Sequence, residues 1–347
     1  IEPLVPSAII QNFAAFVFEK AEIDNLTLSF GARIDARSQE AEPNADLNLP
    51  DENVGETEYV LNQSYVEFSG SMGATYQISG EFAIATNIGR GFRAPSLFNL
   101  HVDGVHGGIA AYQIGNPYLD SERSLNTDFS LRWRSQKVKA KATVYRNAIN
   151  NYMFLVNTEE FAGPNNEGPP ILEFVQGNAR LLGANADLTA QVLPWLQLSG
   201  TFETVNGQNV DEEISEVDDL PLLPPTKLSG KIKLMRSSFG KLNNAFFNIG
   251  IQYASSKEAA GRYEPFWQFG NDPQFSDFGV ASTDHYTLLN ATIGAEVPLW
   301  DRSVSLQIST NNLLNTVYRD FLDTYKGYAL SPGRNITFRI KVPFTVL

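Results

Sequence analysis

Apolar residues fall on every second position through most of this 347-residue chain, and a period of two admits one kind of element. In TLLNATIGAEV, Leu289, Ala291, Ile293, Ala295 and Val297 share one face and Asn290, Thr292, Gly294 and Glu296 the other, the pattern of a strand set between an apolar and a polar environment. LTLSFGARI repeats it, with Leu26, Leu28, Phe30, Ala32 and Ile34 against Thr27, Ser29, Gly31 and Arg33. KVKAKATVY opposes Val138, Ala140, Ala142 and Val144 to Lys137, Lys139, Lys141 and Thr143, and NITFRIKV opposes Ile336, Phe338, Ile340 and Val342 to Asn335, Thr337, Arg339 and Lys341. Helical periodicity competes nowhere over comparable lengths.

Runs of this kind predict about thirteen strands, near residues 10–20, 25–37, 62–78, 80–90, 124–135, 137–156, 171–192, 195–207, 225–237, 244–256, 283–297, 301–310 and 334–346. Their connections alternate strictly between short turns and long loops, the long ones expected to run from about 14 to over 30 residues. Adjacent strands reverse direction, so all short turns fall on one rim and all long loops on the other. The long loops are rich in Gly, Pro, Asn and acid, as in EAEPNADLNLPDENVGETE and NGQNVDEEISEVDDLPLLPP. Such lengths are uncommon in compact soluble domains and ordinary on the outer side of a membrane barrel.

Composition removes several classes. The chain has no cysteine, which excludes disulfide scaffolds, thiol chemistry and cysteine-built metal centres. Its 26 Lys and Arg stand against 39 Asp and Glu, a net charge of −13, and no basic patch offsets the repulsion of a phosphate backbone, so nucleic acid is not an expected partner. No run approaches 18 apolar residues, which excludes membrane helices but not membrane strands. Aromatic residues near predicted strand ends, Tyr76, Trp133, Tyr152, Trp195, Tyr253, Tyr286 and Trp300, suit either sheet-face packing or a membrane-interface girdle.

The fold class expected is all-β, a transmembrane antiparallel β-barrel with short periplasmic turns and long extracellular loops. Bacterial single-chain barrels have an even strand number, and an open sheet edge is not tolerated in lipid. An odd count means either that one strand is miscounted or that residues 1–347 form one domain that is the C-terminal part of a larger barrel. With the last strand ending on the periplasmic side, the first runs inward from an external loop, a start inside a sheet that favours the second reading.

Two stretches carry a family resemblance. Ile88 to Trp133, IGRGFRAPSLFNLHVDGVHGGIAAYQIGNPYLDSERSLNTDFSLRW, resembles the mid-barrel signature of TonB-dependent outer-membrane receptors, a G-F-R-A-P strand exit followed by a G-N-P-x-L-K-P-E-like turn. Ser309 to Phe344 is similar to that family's C-terminal signature, N-L-F-(D/N)-x-x-Y, a long loop, and P-G-R-x opening the last strand. Together they cover about 80 residues. Departures are Asp120 and Ser121 in place of Lys-Pro, Leu314 in place of Phe, and a terminal Phe344-Thr-Val-Leu347. The resemblance implies a barrel of about 22 strands, an N-terminal plug domain that is absent here along with the first strands, the lipid of a Gram-negative outer membrane, a TonB-type inner-membrane energising complex, and a small nutrient ligand.

Motif residues have physical readings of their own. Gly91 and Pro95 bracket a strand exit, Pro95 lacking a ladder donor, Arg90 and Arg93 are long enough to bridge lumen-side acids, and Glu122 closes the second motif turn. Gly115-Asn116-Pro117 and Pro332-Gly333-Arg334 are turns that relaunch the chain, Gly333 permitting φ > 0 if the turn requires it; Asn312 and Tyr318 belong to the same C-terminal element.

Candidate metal ligands are His101, Asp103 and His106 in HVDGVH, a spacing able to present imidazole and carboxylate to a transition metal or simply a polar motif loop. Candidate ligand-binding residues are Tyr112, Arg262, Tyr263, Trp267, Arg319, Tyr325 and Tyr328, able to stack on a ring and pair with its charges or to pack the loops. No cofactor is implied, and no nucleophile elbow, H-E-x-x-H, P-loop or dinucleotide fingerprint supports an enzyme. The function expected is energised uptake of a scarce nutrient, ferric siderophore first, with zinc, haem, cobalamin or oligosaccharide behind it. A soluble all-β carbohydrate-binding or adhesive module is the alternative from another class.

Overall fold

The computed structural model describes residues 4–42, 62–108, 111–210, 220, 222–258, 282–299, 302–323, 326 and 329–343. One sheet follows the chain in the order β1 (Ala8–Ile23), β2 (Leu26–Ala41), β3 (Asn62–Gln77), β4 (Phe82–Arg93), β7 (Glu122–Arg134), β8 (Val138–Phe161), β9 (Pro170–Leu193), β10 (Leu196–Asn209), β11 (Lys227–Phe239), β12 (Leu242–Ala254), β13 (Tyr286–Leu299), β14 (Arg302–Asn311) and β15 (Asn335–Lys341), each antiparallel to the next. All thirteen expected strands are present. Between β4 and β7 the chain forms α1 (Leu97–His101) and a small hairpin of β5 (Asp103–His106) and β6 (Ala111–Ile114), none of them signalled by the period-two reading. Among the described residues no pairing joins β1 to β15, so the sheet is not closed.

Register sorts the side chains onto two faces. Leu28, Phe30 and Ile34 of β2 lie opposite Ala74, Met72 and Phe68 of β3, and Phe129 of β7 lies opposite Val144 of β8. These large apolar groups are exposed, Phe30 by 47%, Met72 by 59% and Val144 by 56%, too much contiguous apolar surface for a water-facing wall. The other face is polar: Arg33, Asp35 and Arg37 on β2, Lys139 and Lys141 on β8, Asp187 on β9, and Lys231 and Lys233 on β11. At the short-turn rim Phe82 and Trp133 stack at 5.5 Å, with Tyr76 and Trp195 exposed nearby. Tyr152 and Tyr286 depart from the strand-end expectation. Tyr152 packs beneath the β10–β11 loop and Tyr286 is buried against Tyr318, because at the long-loop rim the loops fold back over the strands. Trp300 lies outside the described residues.

β8 and β9 are each 24 residues long, about 80 Å at roughly 3.3 Å per residue, where about 10 residues suffice for an apolar band. Their extension shortens the connection between them to residues 162–169, below the expected loop lengths. A bulge at Asn151, φ 56°, turns the hairpin where β7 ends. Above it β6 adds in parallel to the freed edge of β9, Tyr112 opposite Ile171. The buried apolar residues concentrate there rather than in the sheet: Leu100, Val102, Leu119, Met153 and Phe174 form one cluster, Ala111 and Leu172 a second.

On the polar face Tyr145 lies over Gly183, its cross-strand partner, so closely that any Cβ at 183 would enter the ring. Substitution Gly183→Ala is expected to destabilise the sheet by about 1–3 kcal/mol, the usual cost of overpacking, and pairing it with Tyr145→Ala should remove most of the added cost. Urea titration of the heat-modifiable folded band measures both variants; an unchanged midpoint for Gly183→Ala would contradict this packing.

Candidate functional site

The two sequence signatures fold onto the long-loop rim. β4 ends at Arg93, and Ser96 caps α1, its hydroxyl accepting from the Asn99 backbone N–H while the Asn99 side chain accepts from Ser96 N, a reciprocal capping arrangement. Gly115 sits so close to this turn that a Cβ would lie 2.6 Å from the Leu100 carbonyl carbon. The Gly115 N–H donates to Val102 O at 2.6 Å, and the Asn116 N–H to Asn99 O at 2.9 Å. Asn116 Oδ1 accepts from Tyr118 N, shaping the turn at Pro117.

Ion pairs lock this cap to the sheet. Arg93 grips Glu122 with both oxygens at 2.6 and 2.5 Å, and Glu122 Oε1 also accepts from the Met153 N–H at 2.6 Å. β3 and β4 pair only from Gly70 with Arg90 to Gln77 with Ala83. Above Gly70 the strands part, and the Glu67 carboxylate sits in the gap, 5% exposed, gripped by Arg123 at 2.8–3.1 Å with Arg90 at 3.9 Å. Arg90 also donates to Phe68 O and lies over the Phe68 ring. The freed part of β3 holds the loop through side chains: Gln63 donates to Pro117 O and Tyr65 to Leu119 O, while Gln39 of β2 donates to Pro95 O at 3.0 Å. Gly91 faces Ser124 in the β4–β7 ladder. These motif residues therefore act as a scaffold.

The C-terminal signature forms a second lock. Asn312, φ 49°, holds Thr316 by two bonds, donating to its carbonyl at 2.8 Å and accepting from its N–H at 2.7 Å. Asn315, φ 57°, accepts from Arg334 N at 2.8 Å. The left-handed residues of this turn are thus asparagines; Gly333 instead makes room for Asn315, whose Oδ1 would lie 2.8 Å from a Cβ there, and Pro332 is exposed beside it. Tyr318 packs on Tyr286 with ring centroids 4.5 Å apart. Asp320 accepts from Tyr286 Oη at 2.7 Å and Lys227 Nζ at 3.3 Å, tying the loop to β13 and β11. Burial pushes the Asp320 carboxyl up, but the bonds from Tyr286, Leu322 N and Lys227 together hold it below its ordinary range. Burial raises Tyr318.

The proposed metal ligands are not brought together. His101 is 2% exposed within the cap, burial alone depressing it to about 4. Asp103 accepts from Tyr112 Oη at 2.6 Å, which places Tyr112 inside the cap hairpin. His106 packs edge-on against Phe98. Among the described residues no three His, Cys, Asp or Glu side chains stand at metal-binding separation. Arg319 lies in the described loop beside Asp320; Arg262, Tyr263, Trp267, Tyr325 and Tyr328, and the acidic stretch 211–219, lie outside the described residues.

A cavity of about 580 Å³, with charged groups set among apolar ones, lies on the polar face between β8 and β11. Lys141, Tyr145, Asn185, Asp187, Glu203 and Lys227 line it, and Pro224, Pro225 and Leu322 from two loops close its mouth. Lys141 and Asp187 are register partners on its wall, with no ion pair between them. Sequence reasoning missed these residues. Their signal was the polar half of the alternation, which marks a face but not a depth along the strand.

The sequence matches the TonB dependent receptor-like, beta-barrel family over residues 4–313, and the chain belongs to that family. The family is one of outer-membrane transporters and receptors of Gram-negative bacteria, not of enzymes. Similar solved structures include the copper transporter OprC, 14% identical with TM-score 0.73, covering 96% of this chain and 48% of that one. The ferric preacinetobactin receptor BauA of Acinetobacter baumannii is 11% identical, TM-score 0.67, covering 96% and 43%. The ferric yersiniabactin receptor FyuA of Yersinia pestis is 12% identical, TM-score 0.63, covering 96% and 44%. The chain thus spans about half the length of these relatives, and the likeness is one of fold.

Two outcomes test the locks. A double-mutant cycle between Arg93→Ala and Glu122→Ala should return a coupling of about 1–2 kcal/mol, moderated because Arg93 is half exposed; no coupling would contradict the clamp. Asp320 has a depressed carboxyl, so its stabilisation is present above the unfolded value of about 3.9 and is lost as pH falls through the folded value. Protease protection of the 312–334 loop should therefore fall on acidification in the native chain, and Asp320→Asn should be poorly protected already at neutral pH.

Proposed function

We propose that this chain forms the C-terminal part of the barrel of an outer-membrane receptor in a Gram-negative bacterium, serving energised uptake of a scarce nutrient. The carrying observation is the division of one sheet into an exposed apolar face and a polar face that holds a loop-covered cavity. Such a sheet suits lipid on one side and a water-filled, ligand-bearing lumen on the other. Strand parity supports the partial-barrel reading. With thirteen antiparallel strands, β1 and β15 run the same way, so antiparallel closure requires an odd number of further strands, as a parent protein about twice as long would supply.

An N-terminal plug and a TonB-type inner-membrane complex are the partners this reading requires of the parent. Ferric siderophore leads among substrates, supported by the fold shared with the receptors for ferric yersiniabactin and ferric preacinetobactin; zinc, haem, cobalamin and oligosaccharide follow. The mixed charges of Lys141, Asp187, Glu203 and Lys227, with the hydroxyl of Tyr145 and the apolar Phe202, Val205 and Leu322, suit a ligand that carries both charge and apolar surface. No helix among the described residues is long and apolar enough to cross a membrane, which leaves strands to do so.

Competition binding to outer membranes bearing the complete receptor tests the proposal, with ferric siderophore, haem, cobalamin and zinc as rivals. Lys141→Gln combined with Asp187→Asn should weaken the preferred ligand about tenfold, or about 1.4 kcal/mol. Extraction of the receptor without detergent as a monodisperse soluble protein would instead favour the carbohydrate-binding or adhesive module.

A further inference from the structure

The apolar face carries one group of charges that the uptake reading does not use. Arg146 of β8 lies opposite Thr127, and Arg180 of β9 lies opposite Ala148, both in the rows that contain Leu125, Phe129, Val144 and Leu182. They are therefore on the apolar face, both exposed, on adjacent strands and diagonal to one another, within reach of long side chains. Arg123 of β7 and Arg90 of β4 continue the row at the same rim. Those two share the Glu67 carboxylate, and the exposed Asp120 also attracts Arg123. No carboxylate stands within ion-pair distance of Arg146 or Arg180 among the described residues, and Arg180 bonds only the neutral Gln208, at 2.8 Å.

Height matters here. Trp133, in the aromatic pair at the short-turn rim, and Arg123 are ten residues apart on β7. That is about 34 Å along the strand and about 25 Å across a bilayer at a usual tilt, the height of an apolar band. Arg180 stands level with Leu125, through Ala148, and Arg146 level with Thr127, eight and six residues from Trp133 and so about 20 and 15 Å across the bilayer. From inside the outer edge of the apolar band their guanidinium groups reach upward to the outer-leaflet headgroups, as long cationic side chains do. An arginine facing lipid is costly unless it meets a polar partner, and guanidinium forks match phosphate oxygens.

We infer that Arg146 and Arg180 form a binding site on the outer wall for the phosphate groups of an outer-leaflet lipid, with its acyl chains lying along Val144 and Leu182. The site rests on the outer-membrane reading of the apolar face. Its ligand is a phosphorylated glycolipid of the lipid A type, held by charge complementarity at the headgroup and apolar contact below it.

The test uses the full chain isolated from outer membranes in mild detergent, with native mass spectrometry counting co-purified lipid A, and rebinding to phosphatidylcholine vesicles doped with diphosphoryl or dephosphorylated lipid A. Arg146→Gln with Arg180→Gln should reduce lipid A retention about tenfold. Arg236→Gln, on the same face at the short-turn rim, should leave it unchanged. Dephosphorylated lipid should bind the native chain no better than it binds the double variant. Equal retention by native and double-variant chains, equal loss in the Arg236 control, or full displacement by inorganic phosphate alone would overturn the inference. Should the double variant fail to assemble, Arg146→Lys with Arg180→Lys keeps the charges but not the forks, and undiminished retention there would likewise count against bidentate phosphate binding. A native chain that does not fractionate with membranes contradicts the outer-membrane reading itself, whereas a membrane-bound native chain with unchanged lipid in the variants contradicts only the lipid site.

Discussion

The backbone hydrogen-bond ladder governs everything else in this protein. A sheet that meets lipid has no water to satisfy its N–H and C=O groups, so every strand must be paired along the whole apolar band. Twelve consecutive antiparallel pairings, from β1–β2 to β14–β15, give each strand between β1 and β15 a partner on both sides. Pairing also fixes direction, hence one rim of turns and one of loops. The alternation of side chains then follows from the pleat, and a slip of one residue would turn the polar row of Lys139 and Lys141 into the apolar environment.

Where the ladder is interrupted, side chains take over. Above Gly70, β3 no longer bonds β4, and Glu67 with Arg123 and Arg90, Gln63 with Pro117, and Tyr65 with Leu119 replace the missing backbone contacts. β10 ends opposite Ala179, which leaves the upper part of β9 open on that side while β8 still pairs it on the other, and β6 adds to the open edge. The cap consequently has the buried apolar core that the sheet lacks. Signature residues such as Arg93, Gly115, Asn116, Glu122 and Asn312 are explained by this carpentry, while the residues that line the cavity lie elsewhere, on the polar wall.

Strand number, rim polarity and the two faces were legible in the sequence because a pleated sheet imposes a local period, and residues such as Leu289 to Val297 display it without reference to distant partners. The cap was not legible. α1 spans five residues and β5 and β6 four each, too short for any period, and β6 is defined by its pairing with a strand nearly sixty residues on. The same limit separated His101, Asp103 and His106, which share a loop in sequence but fall at the end of α1 and at the two ends of β5. Asp320 found Tyr286 and Lys227 across three elements, a meeting that no local spacing announces. Arg146 and Arg180 were visible as charges interrupting an apolar row, yet their adjacency required the β8–β9 register.

The central claim is that one face of this sheet meets lipid and the other an aqueous lumen, and the absence of cysteine from these 347 residues makes it directly measurable once any cysteine elsewhere in the parent is replaced by serine. Single cysteines placed in turn from Leu125 to Arg132 on β7, in cells expressing the complete receptor, can be challenged with a water-soluble maleimide and with a lipid-phase fluorescence quencher. The account predicts strict alternation: positions 125, 127, 129 and 131 quenched from lipid and shielded from the aqueous reagent, positions 126, 128, 130 and 132 unquenched. Uniform aqueous labelling along β7, with no quenching at either set, would contradict it.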